Sequence, residues 1–143
     1  MRVLGLDIGS VRVGVAVSDP SGRIASPLTV LDAKALAGDA TPFVRLAEDY
    51  ESERLVVGLP LTLSGEEGPQ AAEVRAAAVR LGAAAGLPVE YADERLSSEE
   101  ARRMMSASGM SEKAQRGSVD KVAAAIILQG WLDAQWNGTQ EER

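Results

Sequence analysis

Acidic residues stand at three places where a solvated charge would not ordinarily be put. Asp7 interrupts Val3–Ile8, an apolar run short enough and rich enough in Val, Leu and Ile to be a buried strand. A carboxylate there loses hydration, which is costly unless it is hydrogen-bonded, paired or bound to a metal. Asp120 is followed at i+3, i+4, i+7 and i+8 by Ala123, Ala124, Ile127 and Leu128, so on a helix it falls on the apolar stripe. Between them, Asp93 and Glu94 come just past the last expected strand, the short Pro88–Ala92. Ligands of open α/β sheets gather beyond the carboxyl ends of strands, so these acids could converge. The plainer readings are that Asp7 caps a turn and that Asp120 is a first-turn carboxylate satisfied by free N–H groups and the helix dipole.

Composition narrows the chemistry. The 143 residues include no cysteine and no histidine, which excludes disulfides, thiol catalysis, imidazole acid–base catalysis and Cys- or His-ligated zinc. Carboxylates with oxygen-preferring Mg²⁺ or Mn²⁺ are the natural catalysts that remain. Three inward carboxylates suit divalent-metal phosphodiester chemistry, in which two cations about 4 Å apart activate water and stabilise the leaving oxygen. Without cations the same carboxylates would repel one another.

The order of elements that must hold these acids is legible along the chain. Val3–Ile8 and Val13–Val17 read as two strands joined by a tight connection containing Gly9, Ser10 and Arg12. Gly5, Gly9 and Gly14 would let a backbone or a ligand approach closely. Ser18–Gly22 is a turn with Asp19 as a turn residue, and Arg23–Leu31 is a third strand that Pro27 marks as an edge or bulge. A helix follows within Asp39–Glu53, then a buried strand at Leu55–Leu59, a loop at Leu61–Pro69, a helix from about Gln70 to Ala85 and a short strand at Pro88–Ala92. Ser97 and Glu100 form a capping box for a further helix, Ser106–Gly117 reads as mobile, and the last helix runs from about Ser118 to Trp136. The pattern predicts one α/β domain over residues 1–138, with 139–143 a fraying tail. Its sheet is mixed and five-stranded, antiparallel in the first three strands and parallel in the later βα units.

Several residues are candidates for holding a substrate. The Gly58–Gly68 loop, which includes Pro60 and Gly65, could offer backbone N–H groups to a phosphate, although it lacks the GK[ST] ending of a P-loop. Residues 95–121 carry six basic side chains, Arg95, Lys113 and Arg116 among them, against four acidic ones in a chain of net charge −6. A helical face with ordinary salt bridges accounts for much of that cluster, but a local positive patch also suits phosphate contact. Trp131 and Trp136 read as packing or interface residues. No apolar run spans a bilayer, no signal-peptide pattern precedes the first strand, and a cytoplasmic location is expected.

Four segments in order, LGLDIGSVRVGVAVSD, VVGLPLTLSG, ADERLSSEEA and VDKVAAAIILQGWL, resemble the motifs of the YqgF family. These are RNase H-like proteins described as Holliday-junction resolvases and as pre-16S rRNA nucleases. The resemblance covers nearly the whole chain and implies an RNase H-like fold. It also implies an acidic catalytic and metal-binding triad of Asp7, Glu94 and Asp120, with Asp93 able to share or replace the role of Glu94. The substrate contacts expected with it are Gly9, Ser10, Gly58, Pro60, Gly65, Arg95, Lys113 and Arg116. Where family members often carry Asn-Met-Asp, this chain has Thr62-Leu63-Ser64, a departure that weakens a side-chain role for the loop and leaves its backbone role open.

The expected activity is that of a divalent-metal-dependent endo- or exonuclease using two Mg²⁺ or Mn²⁺ ions. Maturation of the 5′ end of pre-16S rRNA leads, with the ribosome or assembly factors as partners, and cleavage of branched DNA comes second. A junction resolvase would benefit from a homodimer, whereas an rRNA nuclease works equally as a monomer. A non-catalytic RNA-binding module for ribosome assembly would keep the fold without needing the triad. LGLDIGS also resembles the phosphate motif of sugar kinases, Hsp70 and actin, but those proteins close two such lobes around a nucleotide and 143 residues supply one.

Overall fold

The computed structural model describes residues 1–62, 64–93 and 112–141; of the last helix, side chains are described for 119–136. Five strands, β1 (Val3–Ile8), β2 (Arg12–Ser18), β3 (Ala25–Asp32), β4 (Arg54–Leu59) and β5 (Val89–Asp93), form one sheet in the order β3-β2-β1-β4-β5. β1–β2 and β2–β3 are antiparallel, whereas β1–β4 and β4–β5 are parallel. That is the expected mixed sheet. The parallel pairs follow from the crossovers between β1, β4 and β5, and the antiparallel ones from two short hairpins.

Alternation along the strands divides the core into two layers. Leu4, Leu6, Val13, Val15, Leu55 and Val57 face α1 (Ala33–Gly38), α2 (Thr41–Asp49) and α3 (Pro69–Ala85), which contribute Leu36, Phe43, Ala47, Ala71, Val74, Ala78 and Leu81. Val3, Ala16 and Val56 point the other way, onto Ala124, Ala125, Leu128 and Leu132 of α4 (Glu112–Glu141). The small residues on the α4 side let that helix lie close to the sheet.

Several boundaries differ from the sequence reading. Helix α1 was not expected; Asp32 caps it, its side chain accepting a hydrogen bond from the Ala35 N–H at 3.1 Å, and Ala-Lys-Ala-Leu-Ala that follows is good helix-forming sequence. Helix α2 is correspondingly shorter than Asp39–Glu53. β3 begins at Ala25 and not Arg23, and its Pro27 sits on the edge of the sheet opposite Ala16, where the register shifts. An edge strand beside a register shift is where a sheet tolerates a residue without an N–H.

Helix α4 starts at Glu112, so residues 112–117 of the stretch expected to be mobile are helical, while 106–111 lie outside the described residues. Glu112 to Arg116 are helix formers, and Gly117 within the helix costs only about 1 kcal/mol. The helix also continues five residues beyond Trp136, to Glu141. The capping box at Ser97 and Glu100 lies outside the described residues.

The Ser18–Gly22 turn is built as expected. Asp19 accepts hydrogen bonds from the N–H groups of Arg23 and Ile24, at 2.9 and 3.0 Å, and Gly22 adopts φ 74°. Those bonds, together with one from the Ser21 hydroxyl, hold the Asp19 carboxyl well below the usual carboxylate range, the Ile24 contact contributing most.

Candidate active site

Asp7 is the register partner of Gly14 on β2, and one step beyond the Leu6–Val57 pair, Gly58 of β4 comes level with it. Alternation puts Asp7, Gly14 and Gly58 on the α4 face of the sheet, so the Asp7 carboxylate stands between two strands that carry no side chain beside it. Over Gly14 lies the backbone of Asp120: a Cβ at position 14 would overlap the Asp120 carbonyl. Gly5 serves the same purpose further along β1, where a Cβ would come within 2.8 Å of the Leu128 Cβ. Two glycines on neighbouring strands thus seat α4 directly on the sheet, and Asp120 arrives over the partner of Asp7.

The apolar stripe from Asp120 is as the sequence predicts. Ala123, Ala124, Ile127 and Leu128 are buried, and Asp120 sits at the end of that stripe with its side chain a quarter exposed (25%). Its Oδ2 accepts a hydrogen bond from the Nε of Arg12 at 2.7 Å. Arg12 begins β2, two residues before Gly14 and so on the same face. The sequence reading did not assign it to the site, although its spacing from Gly14 was the available signal.

Asp93 is separated from these groups. It is the last residue of β5, pairs with Leu59 and shares with Tyr91 and Leu59 the face of α3. The alternation that brings Asp7 to α4 takes Asp93 to the opposite side of the sheet.

Gly9 and Ser10 form the β1–β2 hairpin at the carboxyl end of β1. The Gly9 N–H donates to the Arg12 carbonyl at 2.9 Å, and a Cβ on Gly9 would come 2.8 Å from that oxygen. The loop after β4 is a small hairpin closed by a Leu61–Glu67 bridge. Its N–H groups largely serve the loop itself: Thr62 donates to Glu66 and Gly65 to Thr62, each at 2.8 Å, with Gly65 at φ 86°. Arg75 of α3 clamps the loop through both oxygens of Glu67, at 2.6 and 2.9 Å. That bond lowers the Glu67 carboxyl and raises the Arg75 guanidinium. Pro60 joins β4 to this hairpin. Glu94 and Arg95 lie outside the described residues, as do the side chains of Lys113 and Arg116. Trp131 packs on the α4 core, and Trp136 receives the Arg23 guanidinium 3.8 Å above its ring.

The donor chemistry fits a hard divalent cation at two of the three expected positions. Asp7 and Asp120 supply carboxylate oxygens on one face, and a cation, the Arg12 guanidinium, already complements Asp120. Among the described residues no three His, Cys, Asp or Glu side chains are grouped to hold a metal; the third expected carboxylate, Glu94, is not among them. No helix among the described residues is long and apolar enough to cross a membrane.

Comparison with known proteins follows the same lines. A family model described as "RuvX: Holliday junction resolvase" matches residues 1–134. A protein of Anaeromyxobacter sp. (strain K), named "Putative pre-16S rRNA nuclease", is 52% identical over 133 residues, covering 93% of this chain and 97% of its own. A Moorella thermoacetica protein of the same name is 46% identical over 133 residues, covering 93% and 95%. Among solved structures, T. thermophilus RuvC in complex with Holliday junction substrate superposes with a TM-score of 0.58 at 19% identity, over 95% of this chain and 96% of that one. That likeness establishes the RNase H-like fold.

Proposed function

This chain belongs to the RuvX (YqgF) family, and from that premise we propose that it is a divalent-metal-dependent nuclease that matures the 5′ end of pre-16S rRNA. The observation that carries the reading is the seating of Asp120 on Gly14, the strand partner of Asp7, which brings two carboxylates to one face at the carboxyl end of β1. Asp7 and Asp120 are the proposed ligands of Mg²⁺ or Mn²⁺. Glu94 is the proposed third, a choice supported by strand alternation, which puts Asp93 on the same face as Tyr91. Two cations held there would activate water and stabilise the leaving oxygen of a phosphodiester.

The chain's own residues supply placement. β1 fixes Asp7 within the sheet, α4 fixes Asp120, and Gly58, level with Asp7 on β4, adds no side chain of its own beside it. Gly9 and Ser10 of the hairpin, Gly58, Pro60 and Gly65 around the second loop, and the basic Arg95, Lys113 and Arg116 are the proposed substrate contacts. The protein would act in the cytoplasm, on precursor RNA alone or within an assembling ribosomal subunit.

Pre-16S rRNA is favoured by the names of relatives around half identical over nearly their whole length. The description of the family model favours a second reading, cleavage of four-way DNA junctions, for which a homodimer would present two sites. End-labelled rRNA precursor and four-way junctions, incubated in parallel with Mn²⁺, Mg²⁺ or EDTA, separate the two. Metal-dependent cutting of RNA alone is the expected result; symmetric cutting of the junction alone would replace it with the resolvase, and binding of RNA without cutting in any metal would favour a non-catalytic assembly module.

A further inference from the structure

Arg12 poses a conflict that the proposed function does not resolve. If Asp120 is a cation ligand, as that reading holds, the Arg12 Nε at 2.7 Å from Oδ2 occupies a lone pair the cation would use and repels the incoming charge. A purely structural role for the contact is small. The Arg12 side chain is more than half exposed (56%), and ion pairs so exposed add little to stability.

The placement of Arg12 suggests a second partner. It stands at the start of β2, next to the Gly9–Ser10 hairpin and on the same face as Asp7, where the scissile strand would have to lie. A guanidinium matches two phosphate oxygens at once and keeps its charge at any working pH. Its exposed stem can turn without disturbing the core.

We propose that Arg12 is exchanged between two anions: it neutralises Asp120 while the site is free of divalent cation, and turns to a phosphate of the nucleic acid when a cation takes Asp120. The exchange makes cation and nucleic acid bind cooperatively, because each favours the same position of Arg12. It also relieves carboxylate repulsion in the cation-free protein.

The test uses the full chain as wild type, Arg12→Gln, Arg12→Lys and Asp120→Asn, each first shown to melt cooperatively. Mn²⁺ binding is measured calorimetrically without nucleic acid, and binding of single-stranded RNA is measured in Ca²⁺ across a salt series. Removing a charge that competes for Asp120 should tighten Mn²⁺ binding to Arg12→Gln by about fivefold or more. RNA affinity should fall in the same variant, and its salt slope should shrink by about 0.7, the share of one phosphate contact on a single strand. Arg12→Lys should keep that slope.

Unchanged or weaker Mn²⁺ binding by Arg12→Gln, or an unchanged salt slope, would overturn the exchange. Asp120→Asn separates that failure from a deeper one. If it binds Mn²⁺ like wild type, the assignment of Asp120 as a cation ligand fails, and the exchange with it. If it loses Mn²⁺ while Arg12→Gln is unaltered, only the exchange fails.

Discussion

The backbone of Asp120 rests directly on Gly14, close enough that a Cβ at position 14 would overlap the Asp120 carbonyl and come within 2.9 Å of the Lys121 amide nitrogen. Because Gly14 is the strand partner of Asp7, the spacing between two proposed metal ligands is set by a side chain that is missing.

Gly14→Ala is therefore expected to do more damage to activity than to stability. Helix α4 must lift or tilt at its Asp120 turn, an overpacking cost of about 1–3 kcal/mol that should show as a lower urea midpoint. Displacing Asp120 by even 1 Å should lower cleavage by about a hundredfold at temperatures where the variant is fully folded. An alanine variant that cuts at the wild-type rate would show that the close seating is not what positions Asp120.

Gly130 offers the opposite case within the same helix. A Cβ there meets nothing within 4 Å, and the residue lies well inside α4. Gly130→Ala should raise stability by about 0.5–1 kcal/mol through lower backbone entropy in the unfolded chain, with cleavage unchanged. Urea denaturation of the two proteins side by side measures this.

The Asp19 turn should make the fold acid-sensitive. Its carboxyl is lowered from an ordinary value of 3.8 by hydrogen bonds from Ile24, Ser21 and Arg23. Between 3.8 and the lower folded value, the unfolded chain binds a proton that the folded chain does not, so stability falls as pH falls through that interval. The contribution is fully present above pH 3.8. Wild type should lose melting temperature more steeply than Asp19→Asn between pH 5 and 2, and equal slopes would remove Asp19 as a cause.

Much of this architecture is legible in the residues because burial imposes periodicity. The short apolar run Val3–Ile8 and the i+3, i+4 stripe after Asp120 identified the strand, the helix and the odd placement of both acids. Helix α1 was hidden by its brevity: six residues hold less than two turns, and the capping signal at Asp32 was the main cue. Asp93 was ambiguous for a different reason. Sequence places it beside Glu94, but only the β4–β5 register, with Asp93 opposite Leu59, decides which face it takes. Arg12 was overlooked because its partner is 108 residues away: its two-residue spacing from Gly14 gives the face it takes but not the contact with Asp120.

The central claim is that Asp7 and Asp120 act as one unit, and a double-mutant cycle tests it most directly. Mn²⁺-dependent cleavage of rRNA precursor would be measured for wild type, Asp7→Asn, Asp120→Asn and the double variant. Each single change should lower the rate by about a thousandfold or more, and the double variant should be no slower than either, since groups that hold the same cations fail together. Losses that multiply, or a single variant that still cuts like wild type, would contradict a shared site.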